Sequence, residues 1–232
     1  MSMVAAWITA GGLCSRRRAA ASAAALALLL ALSGPAQALE GESLFGSIGV
    51  EMNATNLRQL LPQWAAVIDR MNQTPEPFDS RCEDPRLSFC ALQKWTPFLA
   101  NLKGLDEMTQ LKRVNDFMNN VPYLMDAVWE TPLEFLRRFG MCRDYAVAKY
   151  WSLRYLGWPS ERLRIVVLDI LDMPDGQTGR PTSHAVLVVH INGQSLVLDN
   201  LHKGFLVDAK SIVDYRPVYA VTEHAFWLFR RG

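Results

Sequence analysis

This 232-residue chain is short of cysteine and histidine, with four of each, and of net charge, with 24 basic against 23 acidic side chains. So even a balance argues against a broad nucleic-acid footprint or an anionic membrane surface as partner. No pair of Cys or His residues has the spacing of a zinc site, so a structural zinc module is not expected. There is no internal repeat or low-complexity tract, and only one long apolar run. That run, Ala19 to Leu32, is shorter than the ~20 residues that a membrane span requires.

What surrounds the run explains it. Arg16, Arg17 and Arg18 precede it and "SGPAQA" follows, which together read as a secretory signal cleaved after Ala38. Cys14 lies before the apolar run and leaves with the signal. Subtracting the three leader arginines leaves 21 basic against 23 acidic residues, a net charge of −2. Residues 39–232 are enough for one packed domain, expected to be a soluble monomer in the periplasm. In that oxidising compartment Cys82 and Cys90 of "CEDPRLSFC" are expected to pair. Cys142 is then left over, and an unpaired cysteine in an exported chain is either a small buried hydrophobe or a reactive thiol.

Helical patterns come first along the chain. "PQWAAVIDRM" reads as a helix with Pro62 in its first turn, and further helices are expected over 87–102 and 106–119. The last of these places Met108, Leu111, Val114, Phe117 and Met118 on one apolar face. In "TPLEFLRRFG", Thr131 is an N-cap, Pro132 sits at N1, Glu134 closes a capping box and Gly140 ends the helix. Another helix starts beside Cys142 and runs to about Leu156. Then the pattern changes to β-rich runs, "LRIVVLDIL", "HAVLVVHI", "SLVLDN", "RPVYAV" and "AFWLF", with Asn192-Gly193 marking a hairpin. Helices followed by consecutive strands predict an α+β domain with a largely antiparallel sheet.

Thiolate chemistry is easiest at a helix N-terminus, where unsatisfied N–H groups and the helix dipole place partial positive charge near sulfur. Those N–H groups can also stabilise an oxyanion. A base is then needed, and a third group to orient it. His184 opens one apolar strand and Asp199 closes the next, so the hairpin between them would bring both to one end of a strand pair. His190 shares a strand face with His184 and reads as structural, and His202 and His224 have no obvious partner. Trp129, just before the capped helix, is a candidate wall of the cleft, and Tyr145 and Tyr150 are expected to pack against helices.

At this point "WETPLEFLRRFGMCRDYAVAKYWSLRYLG", "RLRIVVLDI", "HAVLVV" and "LVLDN" resemble the bacterial transglutaminase-like cysteine proteinases. These are periplasmic enzymes whose best-known member cleaves a giant surface adhesin. The likeness extends to "LFG", "TNL…PQW", "GLDEMTQLKRVNDFMNNVPY" and "YRPVYAVTEHAFWL". It implies a papain-like, transglutaminase-like fold and a Cys–His–Asp triad falling on Cys142, His184 and Asp199. It also implies a protein substrate such as an adhesin, and an inner-membrane regulatory partner. The family usually carries acids on both sides of the cysteine, which help to hold calcium in adhesin-cleaving members. Here those positions are Met141 and Arg143, so no cofactor is expected. Arg143 is instead expected to favour the thiolate, and Asp144 to pair with Arg143 or cap the helix. The leading reading is an exported cysteine endopeptidase. A transglutaminase-type acyl transferase and a catalytically impaired binding or regulatory homologue remain the alternatives.

Overall fold

The computed structural model describes residues 42–52, 57–73, 91–125, 128–174, 181–202, 204 and 206–230. The leader and the Cys82–Cys90 pairing lie outside these residues. A hairpin opens the described chain, β1 (Glu42–Leu44) and β2 (Ser47–Met52). Its two-residue turn has Phe45 at φ +50° and Gly46 at +75°, the positive pair that matches strand twist. Helices α1 (Leu57–Leu60), α2 (Pro62–Gln73), α3 (Leu92–Leu102), α4 (Glu107–Met118), α5 (Pro132–Phe135) and α6 (Cys142–Tyr155) follow. The chain then turns to strands β3 (Leu163–Pro174), β4 (Pro181–Ile191), β5 (Gln194–Leu198), β6 (Val207–Asp208), β7 (Tyr215–Val221) and β8 (Phe226–Phe229). No helix among the described residues is long and apolar enough to cross a membrane.

All eight strands form one sheet in the order β1-β2-β8-β7-β3-β4-β5-β6, and every pairing is antiparallel. Asn192 and Gly193, at φ +51° and +74°, turn β4 into β5, with Ile191 opposite Gln194 and Leu187 opposite Leu198. Pro217, which has no N–H to give a ladder, lies where the β3–β7 register slips between Val167 and Leu168.

Helix α6 packs on β4 and β3 and is buried on nearly every side, from Asp144 to Leu153. Val147, Tyr150 and Leu153 meet Leu187, Val189 and Leu198 of the sheet and Trp64, Val67, Leu111 and Val114 of the outer helices. The opposite sheet face has its own core, with Val166, Val186, Val188, Val197 and Tyr215 beneath the first hairpin's Leu44 and Phe45. Covered on both faces, β4 buries six consecutive residues, His184 to Val189, which is why it reads as an unbroken apolar run.

Two local expectations need correction, and a third falls partly outside the described residues. Met108 leaves the apolar face of α4 and is 46% exposed, whereas Leu111, Val114 and Met118 are fully buried. The helix of residues 87–102 is described from Leu92, and its first residues lie outside the described set. Helix α5 stops at Phe135, so Gly140 does not end it. Gly140 is required by close approach instead: a Cβ there would stand 2.5 Å from Phe135 Cδ2 and 2.9 Å from Asp144 Cβ.

Candidate active site

Cys142 is the first residue of α6 and is buried. The turn that presents it is held by Asp144, whose Oδ2 accepts from Met141 N at 2.9 Å and whose Oδ1 accepts from Glu130 N at 2.9 Å. Asp144 was expected at the cleft, but it is fully buried and supports the cleft from behind rather than facing a substrate. Both of the pairings expected of it occur, because Arg143 Nε also lies 3.6 Å from its Oδ1.

Residues 128–130 form the neighbouring wall. Arg143 Nη2 donates to the Val128 carbonyl at 2.7 Å, Arg70 Nη2 to the Trp129 carbonyl at 2.6 Å, and Asp144 takes the Glu130 N–H. The capping box of Thr131 and Glu134 starts α5 immediately afterwards. Trp129 is thereby fixed against Trp64, with ring centroids 6.1 Å apart. It lines an apolar recess of about 150 Å³ with Leu60, Leu61, Pro62, Trp64 and Tyr219.

His184 stands at the point where β4 passes from exposed to buried residues. Its Nε2 lies 2.8 Å from Asp199 Oδ1, so Nδ1 is the ring nitrogen left for the neighbouring Cys142. The Asp199 carboxylate is 2% exposed and accepts four bonds. Oδ1 takes His184 and the Leu201 N–H at 2.8 Å, and Oδ2 takes the Tyr215 hydroxyl at 2.6 Å and His202 Nδ1 at 3.1 Å. Thus His202, which showed no partner in the sequence, has one. His190 meets Ser195 Oγ at 3.1 Å, and His224 is exposed with Glu223 at 3.9 Å.

The electrostatics follow from this geometry. Burial alone would lower the His184 pKa, but the hydrogen bonds and charges of Asp199 and Cys142 overturn that and raise it to about 9. Burial would raise Asp199. The hydrogen bond and charge of His184, with the Tyr215 and Leu201 donors, instead hold it well below the ordinary carboxylate range. Both directions favour a protonated His184 resting on an ionised Asp199, with the Cys142 side chain beside the ring, the arrangement in which an imidazole can take up a thiol proton.

Two buried side chains position this end of the sheet, and sequence reading missed both. Asn119 Nδ2 donates to the Asp199 carbonyl at 2.8 Å, and Lys149 Nζ to the Leu198 carbonyl at 3.3 Å. Lys149 is fully buried, and burial lowers it to about 7 against the opposing pull of Asp199 and Asp116. It lies two turns from Cys142 on the same helix, so one rigid element holds the thiol and the strand end carrying Asp199. A lysine inside an otherwise apolar helical pattern was the available signal. Tyr215 and Asn119 carried none, because their partners are distant in sequence.

A calcium ion next to the cysteine does not fit these residues. Among the described residues no group of three or more His, Cys, Asp or Glu side chains is placed to hold a metal. Beside Cys142, the Val128 carbonyl and Asp144 Oδ1 already face the Arg143 guanidinium, and Met141 offers only a thioether, 2.6 Å from Arg143 Nη1. A hard cation prefers several oxygens and no fixed positive charge.

A helix-terminal cysteine on an α+β core, facing a histidine whose second nitrogen rests on a buried carboxylate, defines the class of papain-like and transglutaminase-like thiol enzymes. The comparisons are specific. Residues 70–228 match the profile of the bacterial transglutaminase-like cysteine proteinase (BTLCP) family. Calcium-bound Legionella pneumophila LapG is 25% identical, with a TM-score of 0.54 over 69% of this chain and 87% of LapG. The EGTA-treated form is likewise 25% identical, with a TM-score of 0.55 over 71% and 86%. Among curated protein sequences none matches. The chain belongs to the bacterial transglutaminase-like cysteine proteinase family, and it is a cysteine protease acting on protein.

Proposed function

We propose that the chain is an exported endopeptidase in which Cys142 is the nucleophile, His184 the acid–base group and Asp199 its orienting partner. The observation that carries this reading is the buried His184 ring, with Asp199 on Nε2 and Cys142 on its other side. The thiolate attacks the scissile carbonyl, a C–S bond forms, and the π pair moves onto oxygen. Collapse expels the amine, which takes its proton from imidazolium, leaving a thioester and neutral His184. Water then gives a proton of its own to His184 while its oxygen attacks the thioester, the C–S bond breaks, the carboxylic acid product is released and the Cys142 thiolate is regenerated beside the imidazolium. Asp199 stays ionised throughout and keeps the ring oriented. The Trp129 recess offers room for an apolar substrate side chain.

The leader places this activity in the periplasm after cleavage behind Ala38, with residues 39–232 as the working monomer. By resemblance the substrate is a surface or periplasmic protein such as an adhesin, under an inner-membrane regulatory partner. Labelling by a thiol-reactive probe, with Cys142→Ser as the control, tests the nucleophile. An exported, folded protein whose Cys142 resists such a probe would sink the reading.

A further inference from the structure

Residues 122–124 run beside the turn that presents Cys142 and have no part in the scheme above. A parallel bridge pairs Tyr123 with Gly140, two residues before the thiol. The Gly140 N–H donates to the Pro122 carbonyl at 3.3 Å, and the Leu124 N–H donates to the Gly140 carbonyl at 3.1 Å. Pro122 and Leu124 therefore direct their bonded groups at the thiol's own turn. Ring contacts pin the segment further. Tyr123 stacks on Tyr145 of α6 at 6.2 Å and 25°, and the Tyr145 hydroxyl donates to the Val121 carbonyl.

In an extended chain the N–H and C=O groups of successive residues point to opposite edges. Those of Tyr123 consequently face away from Gly140, and among the described residues neither has a hydrogen-bond partner. The edge is uncovered: Tyr123 and Leu124 are each 51% exposed and Met125 is 76% exposed. Unpaired groups on an open edge are a template for a further strand. We propose that this edge is a substrate-binding site that takes an extended polypeptide by its main chain. One substrate residue pairs antiparallel with Tyr123, donating its N–H to the Tyr123 carbonyl and accepting the Tyr123 N–H on its own carbonyl. The occupant follows from the activity, since a protease acting on protein must lay a polypeptide alongside its nucleophile, and peptide groups are common to every such substrate. The bridge to Gly140 keeps the edge beside the turn carrying the sulfur. Because bridge and ring stack fix Tyr123 before a substrate arrives, pairing loses little conformational entropy on the protein's side.

The inference rests on Cys142 being the nucleophile, and the test separates the two. Two probes carry the same reactive group: chloroacetone, which has no peptide bond, and acetyl-Ala-Ala-Ala chloromethyl ketone, whose methyl side chains require no pocket. Both should alkylate Cys142, the tripeptide at least about tenfold faster, the scale of two net hydrogen bonds. Methylating the three amide nitrogens of the tripeptide one at a time should remove most of that advantage at one position and less than about twofold at the others. Amide hydrogen exchange, followed by NMR on the intact protein, reads the edge itself. The Tyr123 N–H should exchange at least about tenfold more slowly in the tripeptide adduct than in the chloroacetone adduct, whereas the Gly140 N–H, bonded to Pro122, should be equally protected in both. Equal exchange of the Tyr123 N–H in the two adducts would overturn the proposal. So would a tripeptide with no advantage over chloroacetone, or methylation effects that do not single out one nitrogen. A protein in which Cys142 reacts with neither probe would remove the nucleophile, and the proposal with it.

Discussion

Replacing Tyr215 by phenylalanine tests how the Asp199 carboxylate is kept ionised in the core. Asp199 is 2% exposed, and Oδ2 has two donors, the buried Tyr215 hydroxyl at 2.6 Å and His202 at 3.1 Å, whose side chain is 53% exposed. The variant keeps the ring and its contact with Phe45 at 5.6 Å, so only the hydroxyl is lost. A hydrogen bond to a buried charge contributes about 1.5–3 kcal/mol, and the half-exposed His202 replaces little of that. For a domain of this size the loss corresponds to a fall in melting temperature of about 3–12 °C. The sign with pH is fixed by the depressed Asp199 pKa. The stabilisation is complete above about pH 4, near the unfolded carboxylate value, and disappears as acid protonates the folded group. Urea unfolding of parent and variant at pH 7 and at the lowest pH where both remain folded measures both features. A gap under about 0.5 kcal/mol at pH 7 would refute the account, since an exposed or redundant bond is all that could be so cheap. A gap that persists unchanged in acid would refute it equally.

Other consequences follow from the same geometry. Because His184 is raised to about 9, its contribution to stability is complete below about pH 6.5 and is lost as pH rises through 9. Acyl transfer should fall over the same alkaline range, and Cys142→Ala should move the His184 NMR titration downward, whereas an unmoved titration would show that the thiol does not share its charge. His202→Ala should change the chemical step by less than about threefold, since an exposed partner of a buried carboxylate contributes little; the acylation rate measures it. Mass mapping of the non-reduced protein should find Cys82 joined to Cys90 and Cys142 free, and a peptide linking Cys142 to either would end the nucleophile reading. EGTA should leave melting temperature and activity unchanged, because an ion that does not bind contributes no stability. Stoichiometric calcium binding by titration calorimetry would contradict the role given to Arg143.

Much of this protein is determined by short-range pattern. Thr131, Pro132 and Glu134 start α5 by local hydrogen bonding, Asn192-Gly193 turns the β4–β5 hairpin, and strict apolar runs specify buried strands. Since the hairpin brings the end of β5 beside β4, the approach of Asp199 to His184 was also legible, and the family resemblance rested on those same segments. Tertiary structure decided what depends on residues far apart in the chain. Whether Gly140 is a helix stop or a contact point depends on Phe135 folding back beneath it, and periodicity placed Met108 on an apolar stripe that its own core does not cover. The same holds for Asp144, which a linear reading sets beside the thiol and which the fold buries beneath Glu130. Tyr215, Asn119 and Lys149 reach Asp199 and its strand end from β7, from the end of α4 and from α6. Their meaning lies in directional bonds to carbonyls and a carboxylate whose positions exist only after the sheet and helix α6 have packed. Hydrophobic pattern is carried by each segment alone, whereas a hydrogen-bond partner is a property of two segments brought together.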